Sequence, residues 1–117
     1  MVLIIGGAYQ GKLSFAVEKY GLKQENLHDL GEGYAPDKSC YYHLELYLRE
    51  NTQLPEFSPG AIIIAREINS GVVPIDTKER LFRERYGKTL QTLAKSCDKI
   101  YRVYCGIPQL LYSDDTK

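Results

Sequence analysis

Residues 2–16 read VLIIGGAYQGKLSFA: an aliphatic run, a glycine-rich turn and the start of an amphipathic stretch. The aliphatic residues 2–5 carry no polar alternation, which predicts a parallel strand covered on both faces. From Lys12 onward, Leu13, Phe15, Ala16, Val17 and Tyr20 form a helical stripe, and Gly21 supplies a left-handed stop. Between strand and helix, Gly6, Gly11 and Lys12 complete the pattern Gly-x-x-x-x-Gly-Lys. In such a loop glycines let successive backbone N–H groups face an anion, and the helix N-terminus adds roughly half a positive charge. The lysine reaches the β and γ phosphates. The next position, where Ser or Thr normally holds Mg²⁺, is Leu13, which has no donor atom. Ser14 is the nearest hydroxyl, but it sits about 100° round the helix. Two readings stay open: a working phosphate loop, or a glycine turn kept for tight strand-to-helix packing.

Working outward, residues 26–30 suit a short strand, and Gly31, Gly33 and Pro36 mark a loop. Asp37 or Ser39 is expected to cap a helix reaching Glu50, with Leu44, Tyr47 and Leu48 inward and Glu45, Arg49 and Glu50 opposite. A connection with Pro55, Pro59 and Gly60 leads to a second buried-type strand, residues 61–65, and a polar loop over 66–74. Asp76 and Glu79 are spaced as a capping box before a long helical pattern running to Cys97. Residues 100–105 form the last clear strand. Gly106-Ile107-Pro108 is expected to turn the chain into a loosely ordered tail over 109–117. Strands alternating with helices predict one parallel α/β domain over residues 1–117, with its ligand at the strand C-terminal ends.

At 117 residues the chain suits a single core. Fifteen Lys and Arg balance fifteen Asp and Glu, so no long-range field draws it to nucleic acid or to an anionic membrane. The apolar runs are too short to span a bilayer or serve as a signal peptide, which predicts a cytoplasmic protein. Cys40, Cys97 and Cys105 are widely spaced and are read as reduced thiols. Tyr34, Tyr41, Tyr42 and Tyr47 crowd one stretch; they suit the edge of a core or an oligomer contact, or else a stacking face for a base or a corrin ring.

Residues 66–108, REINSGVVPIDTKERLFRERYGKTLQTLAKSCDKIYRVYCGIP, carry Glu67, Gly71, Val73, Pro74, Arg80, Phe82, Arg83, Gly87, Gln91, Gly106 and Pro108 in an order that resembles one family. That family is the adenosylcobinamide kinase/adenosylcobinamide-phosphate guanylyltransferase family of cobalamin biosynthesis. Its pattern runs Asn-Glu-Val-Gly-x-Gly-Ile-Val-Pro, Arg-x-Phe-Arg-Asp, Gly-x-x-Asn-Gln and Gly-Leu-Pro, after an N-terminal Thr-Gly-Gly-x-x-Ser-Gly-Lys-Ser. With the loop at residues 6–12, roughly half of the chain is covered. Arg66, Asn69 and Leu90 depart from the pattern, as do Gln10 and Leu13 in place of the two loop serines. The family's strand ending in Asp-Cys-Leu-Thr and its arginine-flanked histidine that carries GMP are not legible here.

The resemblance implies a three-layer P-loop NTPase-like domain with a mainly parallel sheet. It implies ATP or GTP held by Gly6, Gly7, Ala8, Tyr9, Gln10, Gly11, Lys12, Leu13 and Ser14, with Mg²⁺ lacking its usual hydroxyl. Ser70 and Gly71 are then expected near the nucleotide. Lys12 is expected to stabilise charge and Glu67 to assist phosphoryl transfer to a cobinamide hydroxyl. Arg83, with Arg80 and Arg85, would either reach phosphates or form ion pairs with Glu79 and Glu84. A non-catalytic relative binding nucleotide, corrinoid or a partner subunit is the alternative, and assembly with further copies is expected. His43, expected on the helix, and His28 are read first as ordinary half-buried histidines; the less favoured reading is a nucleotidylated residue, for which His43 stands ahead of His28. Asp37 with Cys40 is the corresponding option for a remnant Asp-Cys motif.

Overall fold

The computed structural model describes residues 1–8, 10–67 and 76–114. The elements are β1 (Val2–Gly6), α1 (Lys12–Tyr20), β2 (Leu27–Asp29), β3 (Cys40–Tyr42), α2 (Leu44–Glu50), β4 (Ile62–Arg66), α3 (Thr77–Lys95), β5 (Lys99–Tyr104) and β6 (Ile107–Ser113). They form a six-stranded sheet in the order β2-β3-β4-β1-β5-β6. Every neighbouring pair is parallel except β5 with β6. β1 lies at the centre, pairing Leu3 with Ile63 of β4 and with Ile100 of β5. Being flanked on both edges and both faces, it explains the unbroken aliphatic run at 2–5.

The pleat sends alternate residues to opposite faces. Ile4, Ile62, Ile64, Cys40 and Val103 pack with Ala16 and Leu13 of α1. Leu3, Tyr41, Ile63 and Ala65 pack with Leu44 and Leu48 of α2 and Phe82, Tyr86 and Leu93 of α3. One helix therefore covers one face and two cover the other, the three-layer α/β arrangement with a mainly parallel sheet expected from the sequence. Asp76 caps α3, accepting from Lys78 N–H at 2.9 Å, but Glu79 does not close a capping box. It turns to α2, where Arg49 binds it through both nitrogens at 2.8 and 2.9 Å and holds its carboxyl down to about 2. Among the described residues no helix is long and apolar enough to cross a membrane.

Two segments differ from the sequence expectation. The helix expected from Asp37 or Ser39 to Glu50 is instead a strand, β3, followed by the short α2. Asp37 caps nothing and sits in the left-handed region at φ 68°. Cys40 and Tyr41 are 0% and 1% exposed and pair with Ile62 and Ile63. An extended backbone there satisfies the amides of β2 and β4 together, which one more turn of helix could not do. The expected loose tail is also wrong as far as Ser113. Cys105 and Gly106 take φ 51° and 75°, both positive, as a two-residue hairpin turn requires. Residues 107–113 thus fold back as β6, antiparallel to β5. Pro108 is tolerated because β6 is an edge strand.

The tyrosines divide between core and cleft. Tyr41 donates to Ala35 O at 2.8 Å and stacks with Tyr34 at 5.5 Å, and Phe57 closes against it at 5.1 Å. Tyr47 is partly buried against the same core. Tyr34 and Tyr47 sit at the edge of the core as expected, Tyr41 lies fully within it, and Tyr42 lines the cleft.

Candidate functional site

The loop between β1 and α1 opens at the C-terminal end of the central strand. Gly6 lies where the chain leaves β1. A Cβ there would stand 2.6 Å from the carbonyl oxygen of Val103 on β5. Both groups are backbone, so neither gives way. Gly6→Ala is therefore expected to cost about 1–3 kcal/mol in urea unfolding, from overpacking. Gly60, with nothing within 4 Å of its Cβ position, is the control: if Gly60→Ala costs as much, the close approach is not the cause.

Gln10 ties the loop to the β5–β6 hairpin. Its backbone carbonyl accepts from Gly106 N–H at 2.9 Å, and its side-chain oxygen accepts from Cys105 N–H at 2.6 Å. The sequence gives Gln10 as a lost serine; in the fold it anchors the loop to a second backbone segment. Gly11, left-handed at φ 89°, is the N-cap of α1, and its carbonyl takes Phe15 N–H at 3.0 Å. Lys12 folds back so that Nζ donates to Gly7 O at 2.5 Å, placing the ammonium over its own loop. Burial pushes this ammonium below its ordinary pKa; Glu45 pulls it upward, Arg66 downward and Glu67 upward.

Facing the loop is a cleft of 340 Å³ lined by Ala8, Gln10, Gly11, Lys12, Leu13 and Ser14 on one wall, with Tyr42, His43, Glu45, Ile64 and Arg66 opposite. Its volume suits a small ligand. Leu13 lines the cleft while packing against the α1-side core. Ser14 opens onto it from the exposed side of α1.

The opposite wall is where sequence reasoning fell short. Glu45, expected on an outward helix face, turns into the cleft, and Oε1 accepts from Arg66 N–H at 3.2 Å. Tyr86 donates to the carbonyl of the same Arg66 at 2.5 Å. The end of β4 is thus held by α2 through its N–H and by α3 through its C=O. β3 ends at Tyr42, His43 follows it, and Glu45 lies in the first turn of α2. His43 is not in a helix: it is the left-handed N-cap of α2, at φ 63° and ψ 41°, and it lines the cleft. His28 is structural, with Nε2 2.7 Å from Gly33 O.

Glu67 follows β4, and its N–H donates to Gly6 O at 2.8 Å. Its carboxylate pairs with Arg102 of β5 at 3.1 Å and lies outside the cleft lining. Arg83 is in ion-pair contact with Glu79 at 3.5 Å, beside Arg49, and is not brought to the loop. Cys40 is buried, its thiol pushed up to about 12 by that burial, so Asp37 and Cys40 form no chemical pair. Tyr9, Ser70 and Gly71 lie outside the described residues.

The donor set does not suit a resident Mg²⁺. Among the described residues no group of three or more His, Cys, Asp or Glu side chains is placed to hold a metal ion. In the cleft, Leu13 occupies the hydroxyl's place and Glu45 is already engaged by a backbone N–H.

A sequence profile of the family described as cobinamide kinase / cobinamide phosphate guanyltransferase matches residues 42–111, more than half of the chain. The matched stretch begins at the last residue of β3, includes the wall formed by His43, Glu45 and Arg66, and ends within β6. A search of curated proteins finds no match.

Proposed function

Because the chain belongs to the cobinamide kinase / cobinamide phosphate guanyltransferase family, we propose that it binds ATP or GTP at residues 6–14 and transfers the terminal phosphoryl group to a corrinoid hydroxyl. The observation that carries this reading is one cleft joining Lys12 and the glycine loop to Glu45 and Arg66. The loop amides and the first turn of α1 bind the phosphates. Lys12 exchanges its contact with Gly7 for the β and γ oxygens and takes up negative charge as the bond to the leaving group lengthens. Arg66, at the mouth of β4, adds a second cation. Glu45 and Glu67 each oppose the burial that lowers the Lys12 pKa, which is how Glu67 assists without touching the ligand.

One observation favours the second reading, a relative that binds nucleotide or corrinoid without turnover: Leu13 stands where a metal-holding hydroxyl is needed. Calorimetric titration with ATP and with GTP, each with and without Mg²⁺, combined with phosphate transfer to cobinamide, tests both. The transferase reading expects saturable binding and a phosphorylated corrinoid by mass. Binding that ignores Mg²⁺ with no corrinoid product would establish the second reading, and no binding by either nucleotide would remove both nucleotide proposals.

A further inference from the structure

The cleft holds a histidine whose ring is oriented by a carboxylate. His43 Nδ1 lies 2.8 Å from Asp29 Oδ1. The same oxygen accepts from Gly31 N–H at 2.8 Å, so Asp29 is fixed at the end of β2 with its acceptor presented to the ring. An ionised carboxylate only accepts, so the neutral imidazole beside it carries its proton on Nδ1. The lone pair is then on Nε2. His43 lines the cleft that contains Lys12, and its side chain is 45% exposed, open to an incoming group.

The backbone gives a second, independent indication. His43 is one of three non-glycine residues with positive φ among the described residues. Backbone strain of this kind persists where the surroundings enforce it, and it clusters at functional sites. Here the His43 carbonyl opens α2, accepting from Leu46 and Tyr47 at 3.0 and 3.2 Å. The sharp bend between β3 and α2 places His43 in the lining of the cleft that also holds Lys12. The charged and titratable groups around it are Asp29 from β2, Tyr42 from β3 and Glu45 from α2, with Lys12 and Arg66 lining the same cleft.

We propose that His43 is the catalytic base that deprotonates the hydroxyl acceptor, with Asp29 as its positioning residue. This rests on the reading of the cleft as a nucleoside triphosphate site. The acceptor O–H gives its proton to Nε2 and its oxygen forms a bond to the γ phosphorus. The bond from that phosphorus to the β–γ bridging oxygen breaks, its electron pair leaving on the nucleoside diphosphate. The imidazolium, held by Asp29, then releases its proton to water, and nothing is oxidised or reduced.

Long-range ¹H–¹⁵N NMR on the full chain with labelled histidine, free of nucleotide, reads the tautomer, and His43→Gln assigns the signals. Neutral His43 is expected as the Nδ1–H form, giving way to mostly Nε2–H in Asp29→Ala. In single-turnover transfer from ATP or GTP to cobinamide, His43→Gln is expected to slow the reaction by about 10²- to 10⁴-fold, the usual worth of a general base, far more than it weakens nucleotide binding in calorimetry. Asp29→Ala is expected to slow it less. The proposal is overturned by Nε2–H as the main wild-type form, by His43→Gln transferring at the wild-type rate, or by a wild type that binds nucleotide and transfers nothing. A nucleotidyl adduct on His43 in the intact mass also overturns it, by making the residue a nucleophile. Failure of the underlying reading looks different: the wild type then binds neither nucleotide, which removes the catalytic role while the Asp29-dependent tautomer is still seen.

Discussion

Lys12→Ala is expected to weaken ATP and GTP binding by about 10- to 100-fold while leaving the urea midpoint nearly unchanged. A charged hydrogen bond is worth about 1.5–3 kcal/mol, and each 1.4 kcal/mol is tenfold in affinity. Without ligand the ammonium has a backbone carbonyl, Gly7 O, as its partner, on a half-exposed loop where water replaces it at little cost. The residue is therefore expected to contribute little to folding and a great deal to nucleotide affinity. Burial lowers its pKa, so part of that affinity should fade at alkaline pH before an exposed lysine would lose its charge. Calorimetric titration checks the affinity and urea unfolding checks the stability. Equal nucleotide affinity in the variant would mean that the loop no longer binds phosphate.

The largest loss of stability is expected from Tyr86→Ala, about 3–5 kcal/mol, the range for removing a buried aromatic side chain. Tyr86 is 2% exposed, stacks on Phe82 at 5.7 Å and donates to Arg66 O. Burial pushes its hydroxyl pKa far up, so it stays a donor at any ordinary pH. A loss of that size is a large fraction of what a domain this small possesses. Tyr86→Phe separates the two roles: the ring stays, the bond to the end of β4 goes, and the cost falls to about 1 kcal/mol. Because Arg66 lines the cleft, Tyr86→Phe should also weaken nucleotide binding more than its stability loss accounts for. Urea unfolding of both variants is the check, and a Tyr86→Ala chain within 1 kcal/mol of the parent would show that α3 is not what holds that strand end.

The legible parts of the fold were those with a strong local signature. A four-residue aliphatic run before two glycines has few alternatives to a central strand, and Asp76 before a long apolar period has few alternatives to a helix cap. The stretch around β3 lacked such a signature. Its apolar spacing continues smoothly into α2, and what breaks it is the sheet's demand for a strand between β2 and β4. The tail misled for a similar reason: a hairpin turn built from Cys105 and Gly106 does not follow the usual Asn-Gly or Asp-Gly pattern, and Pro108 argued against a strand that turns out to lie at the edge.

The candidate site divides the same way. One wall, the loop from Gly6 to Ser14, is contiguous in the chain, so its glycine and lysine spacing could be read directly, as could the family resemblance of residues 66–108. The other wall unites residues from β3, α2 and β4, with Asp29 of β2 behind them. No spacing in one dimension reports that Glu45 faces Lys12, or that Asp29 orients His43. The sequence by itself determined a strand, a glycine loop and a helix in a parallel α/β chain, because backbone conformation there follows from glycine spacing and aliphatic periodicity within a few residues. Only the tertiary structure decided which carboxylates, cation and imidazole meet that motif, because parallel pairing brings together strand ends that the crossovers keep tens of residues apart.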